Sequence, residues 1–311
     1  MNSQNKKVIF LGTPEFSVPT FLKLIEDDSI DLLFCITKED KKSCRGMKVN
    51  YSPIKEIAIK HNIECFQPEK IKDDKKLINL IKEKKPDFII VVAYGQIIPK
   101  EILDIPKACI NGHASILPKH RGASPIQATI LSGDKVAGVT TMLMSEKLDS
   151  GDILYEDSFK LNGDEDIEYL SDKLSYMTAD LIIKTINDFD IIKPIKQNED
   201  LVTYAPIIKK EDGLIDVKND NVENVYRKIR AYKSWPSAYI YINGKMIKFY
   251  KSKITEDFVD EKDSYKISEC IFVYKKKLYL KCKEGFLEIL ELKPEGKRKM
   301  SAVDFINGYK N

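Results

Sequence analysis

The residues best suited to chemistry lie between positions 111 and 152. Asn111 and His113 stand two positions apart at the end of a predicted strand, and that spacing turns both side chains to one face. Asp149 follows in a Leu-Asp-Ser-Gly-Asp segment at 148–152. An amide and an imidazole can donate hydrogen bonds to an oxyanion, and a carboxylate can orient the imidazole, favour its charged form or order a relay water. The set suits the binding of an oxyanion and the movement of a proton, although each residue taken singly has a plainer interpretation: a packing histidine, a turn asparagine and a turn aspartate.

Other kinds of chemistry lack the residues that they need. No G-x-S-x-G segment and no cysteine paired with a nearby histidine supplies a nucleophile. Gly12 follows the first predicted strand, but Pro14 and Ser17 stand where a dinucleotide-binding motif needs glycines. This argues against a nicotinamide-dependent oxidoreductase. The chain has three histidines and six scattered cysteines without a C-x-x-C pair, so we expect no metal and reduced cysteines.

The elements around these residues alternate between strands and helices. Apolar runs predict strands at 8–11, 30–36, 88–93, 109–111 and 138–144, and periodic segments predict helices at 16–25, 53–61, 77–85, 125–131 and 166–189. Such alternation predicts an α/β fold with an open, mostly parallel, Rossmann-like sheet. Open α/β folds place their sites at the carboxyl edge of the sheet, where Asn111 and His113 are expected.

The pattern changes in the last third of the chain. After a segment of little periodicity come a helix at 222–231 and short strands at 238–242, 246–250, 270–274, 278–282 and 286–292, which predict a small antiparallel, OB-like β-barrel. We therefore divide the chain into a catalytic domain at 1–189, a linker at 190–208 and a barrel domain at 209–311.

Charge is unevenly distributed along the chain. Residues 209–311 carry 23 Lys/Arg against 16 Asp/Glu, a net of +7, and the other residues carry a net of −4. This favours an anionic partner for the C-terminal domain, with a solvated surface as the alternative. No stretch approaches the roughly 18 apolar residues that span a bilayer, and the first apolar run is too short for a signal peptide. The expected compartment is the cytosol.

Several motifs together resemble one family. Asn111-x-His113 is followed by Ser115-x-Leu117-Pro118, by Arg-Gly-Ala-x-Pro-Ile-Gln at 121–127 and by the segment around Asp149. This set is similar to that of the formyltetrahydrofolate-dependent formyltransferases. The similarity extends over nearly the whole chain, through residues 10–16, 92–99, 229–231, 235–236, 285–289 and 293–297. The C-terminal segments resemble the members that act on charged tRNA.

The resemblance implies transfer of the formyl group of 10-formyltetrahydrofolate to the α-amine of methionyl-initiator tRNA. It implies a catalytic set of Asn111, His113 and Asp149, and folate contacts from Ser115, Ile116, Leu117, Pro118, Tyr94, Gly95, Gln96 and Ile97. It also implies contacts to the tRNA acceptor arm from Lys38, Lys41, Lys42, Arg45 and Lys48 in one loop and from Lys209 and Lys210. The expected protein is a monomer without a membrane partner.

Two positions depart from the family pattern. Gly112 stands where the tRNA enzymes commonly have a β-branched residue, and His120 stands where many members carry an aromatic residue. Two other functions stay open. A formyltransferase that acts on a sugar-nucleotide or ribonucleotide amine would share the catalytic set but would not explain the basic C-terminal module. An inactive RNA-binding module would not explain the intact set.

Overall fold

The structure of the protein, a computed structural model, describes residues 5–42, 49–255 and 264–309. The chain divides into two compact units. The first comprises Met1–Pro125, Val136–Lys160 and Ser171–Ala205, and the second comprises Ile126–Lys135, Leu161–Leu170 and Pro206–Asn311. Within the described ranges, no helix is long and apolar enough to cross a membrane.

The first unit is built on a large sheet. The strands of this unit, within the part of the chain that the structure describes, are β1 (Lys6–Gly12), β2 (Ile30–Ile36), β3 (Lys41–Lys42), β4 (Val49–Asn50), β5 (Cys65–Phe66), β6 (Phe88–Val92), β7 (Ala108–His113), β8 (Arg121–Gly122), β9 (Val136–Leu143), β10 (Ile153–Lys160) and β11 (Tyr204–Ala205). Seven of them form the large sheet, whereas β3 pairs with β4 and β8 with β11. The sheet has the order β10-β9-β7-β6-β1-β2-β5. Strands β5, β2, β1, β6 and β7 run parallel to one another. Strand β9 is antiparallel to β7, and β10 is antiparallel to β9. The predicted open, mostly parallel sheet is confirmed. Strand β10 was not predicted, because its residues are largely half-buried or exposed and do not alternate regularly.

Strand β1 shows why the sheet is covered on both faces. Val8 and Phe10 belong to one buried cluster, and Ile9 and Leu11 belong to another. Successive side chains of a strand point to opposite faces, so a run of four apolar residues needs apolar cover on each face. All four side chains are fully buried.

The helices at 18–26, 53–60 and 167–188 contribute side chains to the first of these clusters, and those at 75–84 and 100–103 contribute to the second. Local sequence signals set the ends of the helices. The α-helices of the described residues are α1 (Val18–Glu26), α2 (Pro53–Lys60), α3 (Lys75–Lys84), α4 (Lys100–Leu103), α5 (Pro125–Ser132), α6 (Ile167–Asp188), α7 (Val222–Ala231) and α8 (Ala302–Tyr309). Ser52 caps α2 by accepting a hydrogen bond from the backbone N–H of Lys55 at 3.1 Å. Asp74 caps α3 in the same way through Leu77 at 3.0 Å.

The second unit contains an antiparallel sheet. Its described strands are β12 (Ala238–Ile242), β13 (Lys245–Ile254), β14 (Tyr265–Lys266), β15 (Ile271–Tyr274), β16 (Lys277–Lys281), β17 (Phe286–Pro294) and β18 (Met300–Ser301). The order is β12-β13-β17-β16-β15-β14, with β18 paired to β17, and the sheet curls into a half-barrel. Asn243 and Gly244 join β12 to β13 with φ angles of 50° and 75°, the conformation that a two-residue hairpin turn requires. The core contains Phe249, Leu280 and Ile289 from the sheet with Ile229 of α7 and Phe305 of α8.

Candidate active site

Strand β7 carries Asn111 and His113 to its carboxyl end. It runs parallel to β6 and antiparallel to β9, where Asn111 pairs with Met142 and His113 with Thr140. Gly112, between them, lies close to α6: a Cβ atom there would be 2.5 Å from Cγ2 of Thr178. Thr178 thus occupies the volume that a side chain at 112 would need, which accounts for glycine at this position.

Asp149 completes the site from a turn between β9 and β10. Its backbone is left-handed, with φ of 49°, a conformation that aspartate adopts more readily than most residues. One carboxylate oxygen, Oδ1, accepts a hydrogen bond of 3.4 Å from Nδ2 of Asn111. The other, Oδ2, accepts one of 2.8 Å from the backbone N–H of Gly122. At Gly151 a Cβ atom would lie 1.6 Å from the carbonyl oxygen of Leu143, so the turn passes too close to β9 for any side chain there.

The imidazole of His113 is oriented by a carbonyl. Its Nε2–H donates to the backbone oxygen of His120 at 3.0 Å, since a carbonyl can only accept. The other ring nitrogen, Nδ1, lies 3.8 Å from Oδ2 of Asp149, beyond a direct hydrogen bond. The His113 and Asp149 side chains are 6% and 9% exposed. The carbonyl of His120 therefore sets the tautomer of His113. The Asp149 carboxylate faces Nδ1 across 3.8 Å, a gap that a group bonded to both, such as a water, can bridge.

The loop predicted to contact folate begins directly after His113. Oγ of Ser115 donates to the backbone oxygen of Lys119 at 2.6 Å, and the backbone N–H of Leu117 donates to Oγ1 of Thr140 at 3.1 Å. Ser115 and Leu117 are buried, whereas Ile116 and Pro118 are half-buried. The Leu117–Pro118 peptide is cis. These bonds fix the loop beside the end of β7, and Ile116 and Pro118 are its more accessible members.

The second predicted folate segment, residues 94–97, presents backbone rather than polar side chains. The ring of Tyr94 is buried in the core, and burial raises the pKa of its hydroxyl. The side-chain amide of Gln96 is hydrogen-bonded to the backbone. Oε1 accepts from the N–H of Ile71 at 2.9 Å, and Nε2 donates to the carbonyl oxygens of Pro68 and Glu69 at 3.2 Å. Ile97 is 84% exposed. Exposed Gly95, with φ of 79°, lies next to Nζ of Lys38, which would be 2.5 Å from a Cβ atom at this position.

Family models match both parts of the chain. The model described as formyl transferase matches residues 6–186, and the one described as formyl transferase, C-terminal domain, matches residues 207–310. The chain belongs to the formyl transferase family. The membership predicted from the motifs around Asn111 and Asp149 is confirmed.

Relatives within this family match over almost their full length. The methionyl-tRNA formyltransferase of Caldanaerobacter subterraneus subsp. tengcongensis is 41% identical over 97% of each chain. That of Clostridium acetobutylicum is 43% identical over 97% of this chain and 96% of its own. The crystal structure of the N-formyltransferase from Helicobacter canadensis in complex with folinic acid and dTDP-3-aminofucose has a TM-score of 0.65 at 19% identity. It covers 96% of this chain and 100% of that chain. At that identity, the similarity shows the fold alone.

The basic residues expected to contact tRNA are only partly described in this family member. Lys38 is half-buried beside Gly95. Lys41 and Lys42 form β3, which pairs with β4, and Arg45 and Lys48 lie outside the described residues. In the second unit, Lys209 and Lys210 are exposed at the start of a short 3₁₀ helix.

One element of the site was not recognised from the sequence. Residues 195–205 fall in the predicted linker, but they pair with the loops that carry the site. Ile195 bridges Ile153, and β11 pairs with β8 in parallel. Gln197, from the same segment, donates to the carbonyl oxygens of Asp149 and Gly151 at 2.9 and 2.7 Å. No periodicity marks such a segment, because the contacts that place it against the site are distant in sequence.

Proposed function

We propose that the chain transfers the formyl group of 10-formyltetrahydrofolate to the α-amine of methionine on initiator tRNA. The observation that carries the proposal is the convergence of Asn111, His113 and Asp149, with side-chain atoms of the carboxylate within 4 Å of each of the other two. Family membership supports formyl transfer, and the relatives named methionyl-tRNA formyltransferase, at 41% and 43% identity, support the charged tRNA as acceptor.

The proposed mechanism assigns a task to each member of the site. An α-amine titrates at about pH 8, so part of it is neutral at physiological pH and no protein nucleophile is needed. When the amine adds to the formyl carbon, negative charge develops on the formyl oxygen. Asn111 offers the amide hydrogen that does not face Asp149, and His113 can offer a second donor from Nδ1 when its ring carries a proton on both nitrogens. One such donor contributes roughly 10²–10³ in rate.

Asp149 handles the protons in this proposal. Its Oδ2 is held by the Gly122 N–H at 2.8 Å and faces Nδ1 of His113 across 3.8 Å. A carboxylate in this position can take a proton from the attacking nitrogen, directly or through one water. The proton is then returned to the folate nitrogen as the C–N bond to the formyl group breaks. The backbone tie to Gly122 keeps the carboxylate from turning away during the transfer.

The residues around Gly95 fit a flat, polar ring system. Ala93 and Gly95 are exposed just after the end of β6, with φ angles of 48° and 79°. Exposed Ile97 adds an apolar contact. Ligand sites commonly combine an apolar lining with a few backbone donors and acceptors, and we assign the pterin to this segment and the 115–118 loop.

We assign tRNA to the basic residues of the two sequence regions. The 38–48 loop is proposed to contact the acceptor arm, together with Lys209 and Lys210. Domains at 1–189 and 209–311 joined by a linker at 190–208 stay our proposal for the organisation. The net charge of +7 on residues 209–311 suits a polyanion and predicts that tRNA binding weakens as salt rises. The proposed state is a monomer in the cytosol, where translation supplies charged tRNA.

A substrate comparison tests the proposal. Purified protein is incubated with 10-formyltetrahydrofolate and, in separate reactions, with methionyl-initiator tRNA, uncharged tRNA, an amino-sugar nucleotide or glycinamide ribonucleotide. We expect formyl transfer to methionyl-tRNA alone, measured as N-formylmethionine after deacylation. Preferential formylation of the sugar nucleotide or the ribonucleotide would replace the proposed acceptor. Tight tRNA binding without turnover of any acceptor would support the inactive RNA-binding alternative.

A further inference from the structure

Residues 195–205 bond to three parts of the candidate site: the turn that carries Asp149, the backbone of His120 and the backbone next to Gly122. The geometry points to Gln197 as a positioning residue that fixes Asp149 toward His113 and Asn111, and this inference rests on the proposed function. We refer to residues 195–205 as the strap. All of its contacts described below lie within the first compact unit.

The side-chain amide of Gln197 donates hydrogen bonds from its nitrogen and accepts them at its oxygen. Its Nε2 donates to the carbonyl oxygens of Asp149 and Gly151 at 2.9 and 2.7 Å. Its Oε1 accepts from Nε and Nη2 of Arg121 at 2.9 and 2.8 Å. Guanidinium nitrogens only donate and carbonyls only accept, so a glutamine is matched on both sides and cannot be flipped without losing four bonds. The two carbonyls flank the turn in which Asp149 adopts φ of 49°.

Arg121 anchors the glutamine. The arginine is 3% exposed, and its remaining donors form a fork on Glu199 with bonds of 3.2 and 2.8 Å. This fork lowers the pKa of the Glu199 carboxyl, so the carboxylate is charged at neutral pH. The strap therefore supplies both Gln197 and Glu199 to the same guanidinium. Arg121 is buried, whereas the Glu199 side chain is 71% exposed, so the two bonds from the buried guanidinium to Oε1 are what restrict the glutamine.

The strap also bonds to the backbone of His120 and lies against Gly122. Oγ1 of Thr203 accepts from the backbone N–H of His120 at 2.8 Å, and the carbonyl of His120 is the group that orients His113. The carbonyl of Ala205 accepts from the N–H of Ala123 at 2.8 Å. A Cβ atom at Gly122 would be 2.3 Å from the same carbonyl oxygen, so the strap lies directly against the residue whose N–H holds the Asp149 carboxylate. The imidazole and the carboxylate are thus tied to one segment.

The inference predicts a loss in kcat rather than in binding. Without Gln197, the two carbonyls at the Asp149 turn lose their donor, and the turn can relax. A displacement of about 1 Å at a reacting group can lower the rate by about 10²-fold. Gln197 does not belong to the segments assigned to folate or tRNA, so KM for either should stay within about twofold.

The experiment compares steady-state kinetics of the full chain and four variants with formyl donor and acceptor each varied. We expect Gln197→Ala to lower kcat at least about tenfold with nearly unchanged KM values. Thr203→Val, which replaces the hydroxyl by a methyl group, should lower kcat less and also leave the KM values nearly unchanged. Gln197→Met fills the same space without the bonds and carries the test if Gln197→Ala does not fold. Asp74→Ala removes the cap of α3 in the same unit and controls for lost stability.

The outcomes separate this inference from the proposed function. Wild-type turnover of methionyl-tRNA tests the function, and if another amine is the acceptor, the same ratios of kcat are measured with that amine. The inference is overturned if Gln197→Ala and Gln197→Met keep kcat within about twofold of wild type. It is also overturned if their loss appears in KM, or if Asp74→Ala loses as much kcat at equal thermal stability.

Discussion

Gly112 offers a test of how closely β7 and α6 are packed beside the site. Gly112→Ala places a Cβ atom 2.5 Å from Cγ2 of Thr178 and 3.4 Å from Cγ2 of Val92. The preferred carbon–carbon separation is about 3.5–4.0 Å, so the first contact is too short by about 1 Å or more. Thr178 is 1% exposed and donates from Oγ1 to the carbonyl of Leu174 at 2.7 Å, so its methyl group has little freedom to move.

The size of the effect follows from two opposing terms. Overpacking of a well-packed core costs about 1–3 kcal/mol. Replacing glycine by alanine stabilises the protein by about 0.4–1 kcal/mol, because alanine lowers the conformational entropy of the unfolded chain. This gain applies at Gly112 because its φ lies outside the left-handed region. We expect Gly112→Ala to lower the free energy of unfolding by about 1–2 kcal/mol. Thr178→Ser keeps the hydroxyl but deletes the clashing methyl group, at a cost of about 1 kcal/mol.

A double-mutant cycle measures the contact. Urea unfolding of wild type, Gly112→Ala, Thr178→Ser and the double variant should give a double variant more stable than the sum of the two losses by at least about 1 kcal/mol. Because residue 112 lies between Asn111 and His113, kcat should fall in Gly112→Ala and recover in the double variant. Additive losses of stability, or a kcat that does not recover, would refute the packing explanation for glycine at this position.

Three further predictions concern the site, the basic loop and the cysteines. His113→Ala and Asp149→Ala should each lower kcat by about 10²–10⁴ with unchanged folding by circular dichroism, and more than a tenth of wild-type kcat would reject the assigned roles. Arg45→Ala should raise KM for methionyl-tRNA and leave folate affinity unchanged in equilibrium titration; unaltered tRNA kinetics would remove the loop from the proposal. Burial raises the pKa of Cys109 and Cys282 to about 12, so at pH 8 only about 10⁻⁴ of either is thiolate. Mass spectrometry should find both unmodified by iodoacetamide in the native protein and alkylated after unfolding, and rapid native alkylation would contradict the buried placement.

Much of the fold follows from local sequence. The runs at 30–36 and 222–231 match β2 and α7 residue for residue, because a mostly apolar run and a marked apolar stripe are properties of consecutive residues. Strand β10 was missed for the converse reason. Its side chains are mostly accessible, so burial imposes no pattern on them, and its pairing with β9 defines it.

Within the candidate site, the pair Asn111 and His113 differs from Asp149 in how much of its position follows from local sequence. Asn111 and His113 were predictable as neighbours on one face, because a strand repeats every two residues and one chemical motif spans both. Asp149 stands out in its Leu-Asp-Ser-Gly-Asp segment and in the motif resemblance, but its position depends on bonds to Gly122 and Gln197, 27 and 48 residues away.

Sequence by itself therefore determined the family, the class of fold and the residue types available for formyl transfer. Tertiary structure decided how those residues are held. Gln197 and Thr203 lie in a stretch without periodicity, and their side chains bond to backbone groups that any residue would present. A bond to a backbone carbonyl or N–H carries no signature in the partner's sequence. Such contacts become visible only when the folded chain brings the strap against the site.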